Sequence, residues 1–299
     1  MSELVVETRS LIKRYGKLAA LDGLTISVPR GCVYGFLGRN GAGKTTAIRV
    51  LAGLARPAEG EARVFGLDPE RDRLAILVRT GFVIDKALLP SMTGNDLVRF
   101  NRGFYPGWSD ALAKKYADAL EIPMNQKFRK LSHGSKTKLC LLLALAQGAE
   151  LLILDEPTSG LDPVITDQLL RLLIDDFASS GRTIFLSSHH LSEVEKIADW
   201  VGIIHHGCLL LEAQLDDVRA NYCRIRASGE RLPRAAPEIV TVSETEGIVE
   251  YVVRSGAEAF TNGLRRQGAT VLDCHPLNLS EIFLELVGKE NHDPVEVLA

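Results

Sequence analysis

The sequence lacks both an excess of basic residues and a cysteine framework. Its 299 residues carry a formal charge of −3, whereas a surface that holds nucleic-acid backbone normally needs a clear basic excess. We therefore expect no nucleic-acid partner. The five cysteines form no CxxC pair. Their odd number and irregular spacing indicate reduced thiols, most of them buried, in a cytosolic protein.

Long hydrophobic runs are also missing. The most apolar passage, residues 139–154, is interrupted by Gln147, Gly148 and Glu150, and it is shorter than the ~20 residues of a membrane-spanning helix. The start, "MSELVVETRSLIKRYG", contains acidic residues and no long apolar core, which is not typical of a signal peptide. A composition of 46% hydrophobic and 24% charged residues predicts one large globular domain, or a large one and a small one.

The first half of the chain divides into a β-rich and a helical part. Short β-rich runs extend to about residue 35, with a tight turn at 29–31. A helix is predicted from Thr46, followed by a loop that contains Pro57 and Gly60. Apolar residues at three- and four-residue intervals then predict a mostly helical section from about residue 71 to residue 148.

Apolar strands alternate with helices in the second half. The strands are "LLILDE", "TIFLSS" and "WVGIIHHGCLLLE", and the helices are predicted at 163–179 and 191–198. This alternation indicates a parallel sheet covered on both faces. Residues 226–237 are typical of a surface connection, and a small α+β segment with helices near 257–267 and 279–287 follows.

A glycine-rich stretch, "GRNGAGKTT", follows the apolar run "VYGF" and leads into a predicted helix. It fits the spacing G-x-x-x-x-G-K-[ST], in which glycines let backbone N–H groups surround phosphate oxygens and the helix N-terminus adds partial positive charge. In this phosphate loop, Lys44 is predicted to reach the β- and γ-phosphates and Thr45 to ligate Mg²⁺. The predicted binding residues are Gly38, Asn40, Gly41, Gly43, Lys44, Thr45 and Thr46.

Two carboxylates end the strand "LLILDE". Ligands of open α/β sheets bind at the carboxyl ends of the strands. Asp155 is therefore predicted to hold Mg²⁺ through a water, and Glu156 to act as the general base on the attacking water. The paired histidines His205 and His206, in a strand turn, are interpreted as ordinary surface residues, since no cluster at metal-ligand spacing accompanies them.

In this order the motifs resemble those of the ATP-binding subunit of ABC transporters, over roughly residues 4–220. Tyr15, in "KRYG", stands where that family places an aromatic ring against adenine. The segment "SGLD" is similar to the loop that links the two sites of a dimer. His189, in "SSHHLSEVE", stands where the family has a histidine that contacts the γ-phosphate. The resemblance implies ATP and Mg²⁺ as cofactors.

The resemblance also implies the architecture. It predicts an α/β fold in which a P-loop NTPase domain at residues 1–220 carries an N-terminal antiparallel β-subdomain and a helical subdomain at about 85–148. Residues 221–299 are expected to form a small α+β domain, and "LNLSEIFLELVG" is similar to part of the C-terminal domain of subunits paired with exporter-type, ABC-2-like permeases. A regulatory or dimer-stabilising role is implied, and a passive packing module is the alternative.

The segment "LSHGS", residues 131–135, stands where this family has its signature loop, L-S-G-G-Q. In the family that loop reaches the γ-phosphate of ATP held by the partner subunit. Ser132 and Gly134 match the pattern, whereas His133 replaces a glycine and Ser135 replaces the glutamine. The hydroxyl donor and the helix N-terminus remain. A role for Ser132 as a helix cap alone is the alternative.

Asp85 stands where the family has a glutamine bound to Mg²⁺ and to the attacking water. A carboxylate accepts metal or water but lacks the amide N–H donors. The hypothesis is that Asp85 keeps a metal-facing role with altered turnover.

The expected function is ATP hydrolysis that drives a separately encoded integral-membrane permease. ATP would join two subunits, as a homodimer or heterodimer, at the cytoplasmic face of the membrane, and hydrolysis would release them. A soluble ABC-type ATPase acting on ribosomes or DNA, and a weakly hydrolysing regulatory homologue, are the alternatives. A GTPase or a small-molecule kinase is disfavoured because no N-K-x-D motif is present.

Overall fold

The computed structural model describes residues 3–84, 92–177, 180–230 and 232–288. The chain forms two compact units, Met1–Glu212 and Ala213–Ala299. Residue 220, the domain boundary expected from the sequence, therefore lies in the second unit. Asp85 and the residues that follow it, to Ser91, lie outside the described residues.

The elements up to the end of the first unit are mostly short. The first part contains β1 Leu4–Tyr15, β2 Leu18–Pro29, β3 Val33–Leu37, α1 Lys44–Leu51, β4 Glu59–Val64, α2 Arg73–Arg79 and β5 Thr80–Val83. Next come α3 Gly94–Arg102, α4 Asp110–Ala119, a 3-10 turn at Phe128–Lys130, α5 His133–Ala146, β6 Leu151–Asp155 and α6 Pro163–Leu172. A π-helical turn at Leu173–Phe177, β7 Thr183–Ser188, α7 Leu191–Val194, β8 Trp200–His205 and β9 Cys208–Gln214 complete the set.

A six-stranded sheet forms the centre of the first unit, in the order β5-β6-β7-β3-β8-β9. β3 pairs in parallel with β7 and β8, and β6 pairs in parallel with β5 and β7. Every residue of β3, β6 and β7 is buried, because helices or the second sheet cover both faces of a parallel sheet. The predicted parallel sheet is confirmed, and its carboxyl edge carries the segments that follow β3, β6 and β7.

A three-stranded antiparallel sheet, in the order β2-β1-β4, accompanies it. From Leu24 to Val28 of β2, buried residues alternate with more exposed ones, as expected when one face packs on a core. Val6, Leu24 and Ile26 on that face are fully buried and share one hydrophobic core with Tyr34 and Phe36 of β3. The predicted N-terminal β-subdomain is this sheet.

The second unit is an antiparallel sheet with helices. It contains α8 Leu215–Asn221, β10 Tyr222–Ser228, β11 Ile239–Thr245, β12 Ile248–Arg254, α9 Ala257–Arg266, β13 Thr270–Pro276 and α10 Leu279–Val287. The strand order is β11-β12-β10-β13. Apolar side chains of β10 and β12 pack with Leu264 of α9. On the other face Arg224 forms ion pairs with Glu250, Glu281 and Glu285 at 3.3, 3.3 and 2.9 Å.

Several local predictions were wrong. Gly60 lies inside β4, at a register shift opposite β1, where its φ is +80° and a Cβ would lie 2.5 Å from the Arg9 carbonyl oxygen, so that glycine is required. The described part of residues 71–148 is mostly helical, as predicted, but the short strand β5 interrupts it. α7 ends at Val194, although the helix was predicted to reach residue 198, and the segment from residue 226 begins inside β10. Of the five thiols, only that of Cys32 is buried, whereas Cys208 and Cys274 are exposed.

Glu212, in β9, is a half-buried carboxyl group of the first unit. Its Oε1 accepts hydrogen bonds from the Tyr34 hydroxyl at 2.6 Å and from the Ser27 backbone N–H at 2.9 Å. Burial raises the pKa of Glu212, and the two hydrogen bonds oppose that rise. A carboxyl group whose pKa is raised on folding stabilises the folded state, and this stabilisation is complete when the pH is below the ordinary pKa of about 4.3. It is lost as the pH rises through the pKa that the group has in the folded state.

Replacing Glu212 by glutamine is therefore expected to raise the melting temperature at pH 8 and to flatten its dependence on pH between about 4.5 and 8. The amide oxygen of glutamine can accept both hydrogen bonds and carries no charge. Differential scanning calorimetry across this pH range measures the effect, with Glu59→Gln on an exposed residue as the control. A lower melting temperature of Glu212→Gln at pH 8 would contradict the prediction.

Candidate functional site

The phosphate loop joins β3 to α1 and depends on glycine at two positions. Gly43 has φ +113°, and a Cβ on it would lie 2.5 Å from the Ala20 carbonyl oxygen. A Cβ on Gly38 would lie 2.6 Å from the Ile204 carbonyl oxygen. Both distances are below van der Waals contact, so any larger residue would displace the loop. The loop is thereby held close to the strands while α1 begins at Lys44.

Lys44 turns back into the loop that precedes it. Its Nζ donates to the carbonyl oxygens of Gly38 at 2.6 Å and Arg39 at 3.3 Å. The same nitrogen lies 3.0 Å from Oε1 of Glu156. The Lys44 side chain is only 6% exposed, and a buried ammonium group needs such oxygen partners. A cation is therefore fixed in the centre of the loop.

A hydroxyl group and a carboxylate meet beside this cation. Thr45 Oγ1 donates to Asp155 Oδ2 at 2.8 Å, and Ser187 Oγ donates to Asp155 Oδ1 at 2.6 Å. Asp155 ends β6 and is buried, with 3% exposure. Hydroxyl and carboxylate oxygens are the donors that Mg²⁺ prefers, and a site with one or two protein ligands leaves room for phosphate and water. The donor set of Thr45 and Asp155 fits this ion.

Glu156 adopts a backbone conformation that is rare for glutamate. Its φ is +50°, and a left-handed non-glycine residue costs about 1–3 kcal/mol unless its surroundings impose it. The backbone N–H of Glu156 donates to the Ser187 carbonyl at 3.1 Å. The side chain lies between Lys44, on Oε1, and His189, whose Nδ1 is 2.7 Å from Oε2. The neighbouring strand β7 thus supports this conformation, in which the carboxylate lies between the Lys44 and His189 nitrogens.

These groups border one cavity of about 880 Å³. Its lining includes ten of the predicted site residues, namely Tyr15, Asn40, Gly41, Gly43, Lys44, Thr45, Thr46, Asp155, Glu156 and His189. Gly38 lies behind the loop against Ile204. The structure brings a cation, a hydroxyl–carboxylate pair and a histidine–glutamate pair to one end of the cavity, and Tyr15 borders the same space. Such a set can bind and activate a polyphosphate.

The serine of the signature loop forms its hydrogen bonds within the loop. Ser132 is the N-cap of α5, and its Oγ accepts from the Ser135 backbone N–H at 3.1 Å and lies 2.9 Å from Ser135 Oγ. Gly134 packs against the loop "SGLD", where a Cβ would lie 3.1 Å from Leu161 Cδ2. Neither Ser132 nor Gly134 is among the described residues that border the cavity. Within one chain, Ser132 and Gly134 therefore lie off the cavity, whereas His133 of the same loop borders it.

Sequence reasoning missed some of the cavity residues. His206 is exposed, as predicted, but its place at the border of the cavity, in a left-handed conformation with φ +45°, was not predicted. His133, Arg129 and Lys136 also line the cavity. Ser187, which holds Asp155, was not singled out either, although the polar "SSHH" after an apolar strand is a detectable signal. The side chains that close a cavity depend on loop packing, which periodicity does not report.

Comparison with known proteins agrees with the motifs and the fold. The model of the family described as ABC transporter matches residues 21–159. The bacitracin transport ATP-binding protein BcrA of Bacillus licheniformis is 40% identical over 223 residues, which cover 72% of this chain and 71% of the relative. The daunorubicin/doxorubicin resistance ATP-binding protein DrrA of Streptomyces peucetius is 36% identical over 319 residues. The match covers 96% of this chain and 94% of the relative.

Solved structures agree as well. The structure of an ATP binding subunit of an ABC transporter superposes with a TM-score of 0.65 at 26% identity, and the match covers 72% of this chain and 92% of that one. The dimeric cassette MJ0796 has the same fold, with a TM-score of 0.63 at 22% identity. The chain belongs to the ABC transporter family, as an ATP-binding subunit. Among the described residues, no helix is long and apolar enough to span a bilayer.

Proposed function

We propose that this subunit binds ATP with Mg²⁺ in the cavity, hydrolyses it, and thereby drives a separate membrane permease. The observation that carries the proposal is the convergence of Lys44 and His189 on Glu156, beside the hydrogen-bonded pair Thr45 and Asp155. Cation, metal ligands and general base are the parts that phosphoryl transfer to water requires. Tyr15, which borders the same cavity, would stack on the adenine.

We assign Lys44 to the binding of the β- and γ-phosphates of ATP. In the free chain its Nζ lies 3.0 Å from Glu156, so the incoming phosphates compete with that carboxylate for one ammonium group. When Lys44 turns to the phosphates, Oε1 of Glu156 is released from the ammonium group and becomes available to accept a hydrogen bond from the attacking water. Nucleotide binding would thus prepare Glu156 to accept the proton of the attacking water.

His189 holds the other carboxylate oxygen. Its Nδ1 lies 2.7 Å from Glu156 Oε2, and its backbone N–H donates to the same oxygen at 3.4 Å. If both ring nitrogens carry a proton, Nδ1 donates to Glu156 and fixes its orientation, and Nε2 is left to donate to a second acceptor. We assign that partner as the γ-phosphate. A bound Mg²⁺, held by Thr45 and Asp155, would neutralise phosphate charge, and the assignment of Asp85 to this ion stays a prediction from the sequence.

The cavity of one chain would need a second subunit to be complete. Ser132 and Gly134 are not among the described residues that border it, and their proposed contact with the γ-phosphate is therefore made in the partner's site. Two subunits, identical or related, would close on two ATP molecules and separate after hydrolysis. The second compact unit is assigned a regulatory or dimer-stabilising role.

The partner at the membrane is inferred from the relatives. Bacitracin transport and daunorubicin/doxorubicin resistance are the processes that the names of BcrA and DrrA state. By analogy, this subunit would act in export, at the inner face of the membrane, through a permease contacted by the helical subdomain. The relatives favour this function over that of a soluble ATPase acting on ribosomes or DNA and over a weakly hydrolysing regulator.

The test is affinity purification of the tagged full-length chain from detergent-solubilised membranes, with ATPase activity measured on the product. We expect a multi-helix integral membrane protein to co-purify and MgATP to be hydrolysed. Recovery of ribosomal proteins or DNA in its place would contradict the transporter function. Absence of ATP binding would contradict the assignment of the site itself.

Ser135 limits the availability of the signature serine. Because Ser132 Oγ lies 2.9 Å from Ser135 Oγ, the Ser132 proton has an acceptor within its own chain. Ser135→Ala removes this competitor and is expected to strengthen ATP-dependent dimerisation about two- to tenfold, the equivalent of one neutral hydrogen bond. Analytical ultracentrifugation of the Glu156→Gln chain, with and without the second substitution, measures the dimer dissociation constant.

The matched control is Thr137→Val, which removes another hydroxyl of the same turn. Thr137 Oγ1 donates to the His133 carbonyl at 3.2 Å and does not involve Ser132. Unchanged or weaker dimerisation of the Ser135→Ala chain would show that the internal hydrogen bond does not restrain Ser132.

A further inference from the structure

A lysine lies over the aromatic ring assigned to adenine. The Nζ of Lys13 is 5.1 Å from the centroid of the Tyr15 ring. Both residues belong to β1 and are two positions apart, so they share one face of the strand. Tyr15 is 46% exposed. This distance is within the range of about 6 Å at which a cation is attracted to an aromatic face.

The lysine is itself held in place. Its Nζ donates to the carbonyl oxygen of Arg56 at 2.7 Å, in the segment between α1 and β4. The ammonium group therefore links the end of β1 to the chain that follows the phosphate-loop helix. A lysine side chain loses considerable rotamer freedom when it is fixed, and the hydrogen bond to Arg56 imposes this restriction on Lys13.

The two sides of the ring differ. Tyr15 borders the cavity together with Leu18, Ala19 and Ala20, whereas Lys13 and Arg56 are not among the described residues that border it. Because neither residue that holds it borders the cavity, we infer that the ammonium group lies on the side of the ring away from the cavity. The side toward the cavity remains for a planar group.

We propose that Lys13 is a positioning residue that makes Tyr15 selective for the purine base of the nucleotide. This inference rests on the proposed binding of ATP in the cavity. The cation orients the ring and draws π-electron density toward itself, which favours offset stacking of an electron-rich purine on the opposite face. The contribution acts on the base and not on the phosphates, which the phosphate loop holds.

Isothermal titration of the full chain with MgATP and, separately, with Mg²⁺ and inorganic tripolyphosphate tests this inference. Lys13→Met is expected to weaken ATP binding about two- to fivefold, the size of an exposed cation–π contact, and to leave tripolyphosphate binding unchanged. Lys13→Arg, which keeps a cation over the ring, is expected to retain the affinity for ATP. Lys17→Met removes the same charge from the exposed turn of this hairpin and serves as the control.

A double-mutant cycle with Tyr15→Leu isolates the contact. If Lys13 acts through the ring, Lys13→Met has no further effect on ATP binding once the ring is absent. The inference is overturned if Lys13→Met binds ATP like the parent chain, or if it weakens tripolyphosphate binding to the same extent. A parent chain that binds neither ligand would instead refute the proposed nucleotide site.

Discussion

Replacing Glu156 by glutamine is expected to lower the rate of ATP hydrolysis by about 10²–10⁴-fold, the usual contribution of a general base. Binding of MgATP is expected to persist or to strengthen. Glutamine removes a negative charge that lies 3.0 Å from Lys44 Nζ, so the ammonium group is left free for the phosphates. The ATP-bound dimer should therefore accumulate, and single-turnover kinetics with size-exclusion chromatography measure both effects.

Glu150→Gln is the matched control for this substitution. Glu150 precedes the same strand, β6, at its opposite end, where it pairs with Arg79 at 2.6 Å. Its replacement removes one carboxylate and leaves the cavity unaltered, so hydrolysis is expected at the parent rate. If Glu156→Gln hydrolysed ATP as fast as the parent chain, another group would have to activate the water.

Replacing Lys44 by alanine is expected to weaken MgATP binding about ten- to a hundredfold. Hydrogen bonds to charged groups contribute about 1.5–3 kcal/mol each, and about 1.4 kcal/mol corresponds to a tenfold change in affinity. Hydrolysis should fall further, because Lys44 faces the charge that develops on the transferred phosphoryl group. Titration calorimetry and a phosphate-release assay measure the two quantities.

The Lys44 variant also tests the competition between Glu156 and the phosphates. Combining Lys44→Ala with Glu156→Gln should recover part of the lost affinity, because the unpaired carboxylate would repel the γ-phosphate. Circular dichroism confirms folding of each variant, since Lys44 also donates to the loop carbonyls of Gly38 and Arg39. Lys17→Ala controls for net charge. Unchanged ATP affinity in Lys44→Ala would place the nucleotide elsewhere.

Much of the fold was predictable because its pattern is local. The apolar runs in the sequence predicted β6 and β7 at the residues where the structure has them. The helix α10 likewise begins and ends where its sequence pattern indicated. Strand β5 was missed because its four residues, "TGFV", carry little periodic signal between helices. Strand β10 was not predicted from the sequence, for a different reason. Its outward residues, Arg224 and Arg226, are charged and find their partners on other strands and on α10.

The sequence by itself determined the phosphate loop, the carboxylates at the end of β6 and the alternation of strands and helices, since spacing and residue type encode these features locally. Tertiary structure alone decided that Lys44 pairs with Glu156, that His189 supports the same carboxylate, and that His206 borders the cavity. It also decided that Ser135 engages Ser132 and that Lys13 covers Tyr15. These contacts depend on side-chain rotamers and on strand order in the sheet, and residue spacing along the chain specifies neither.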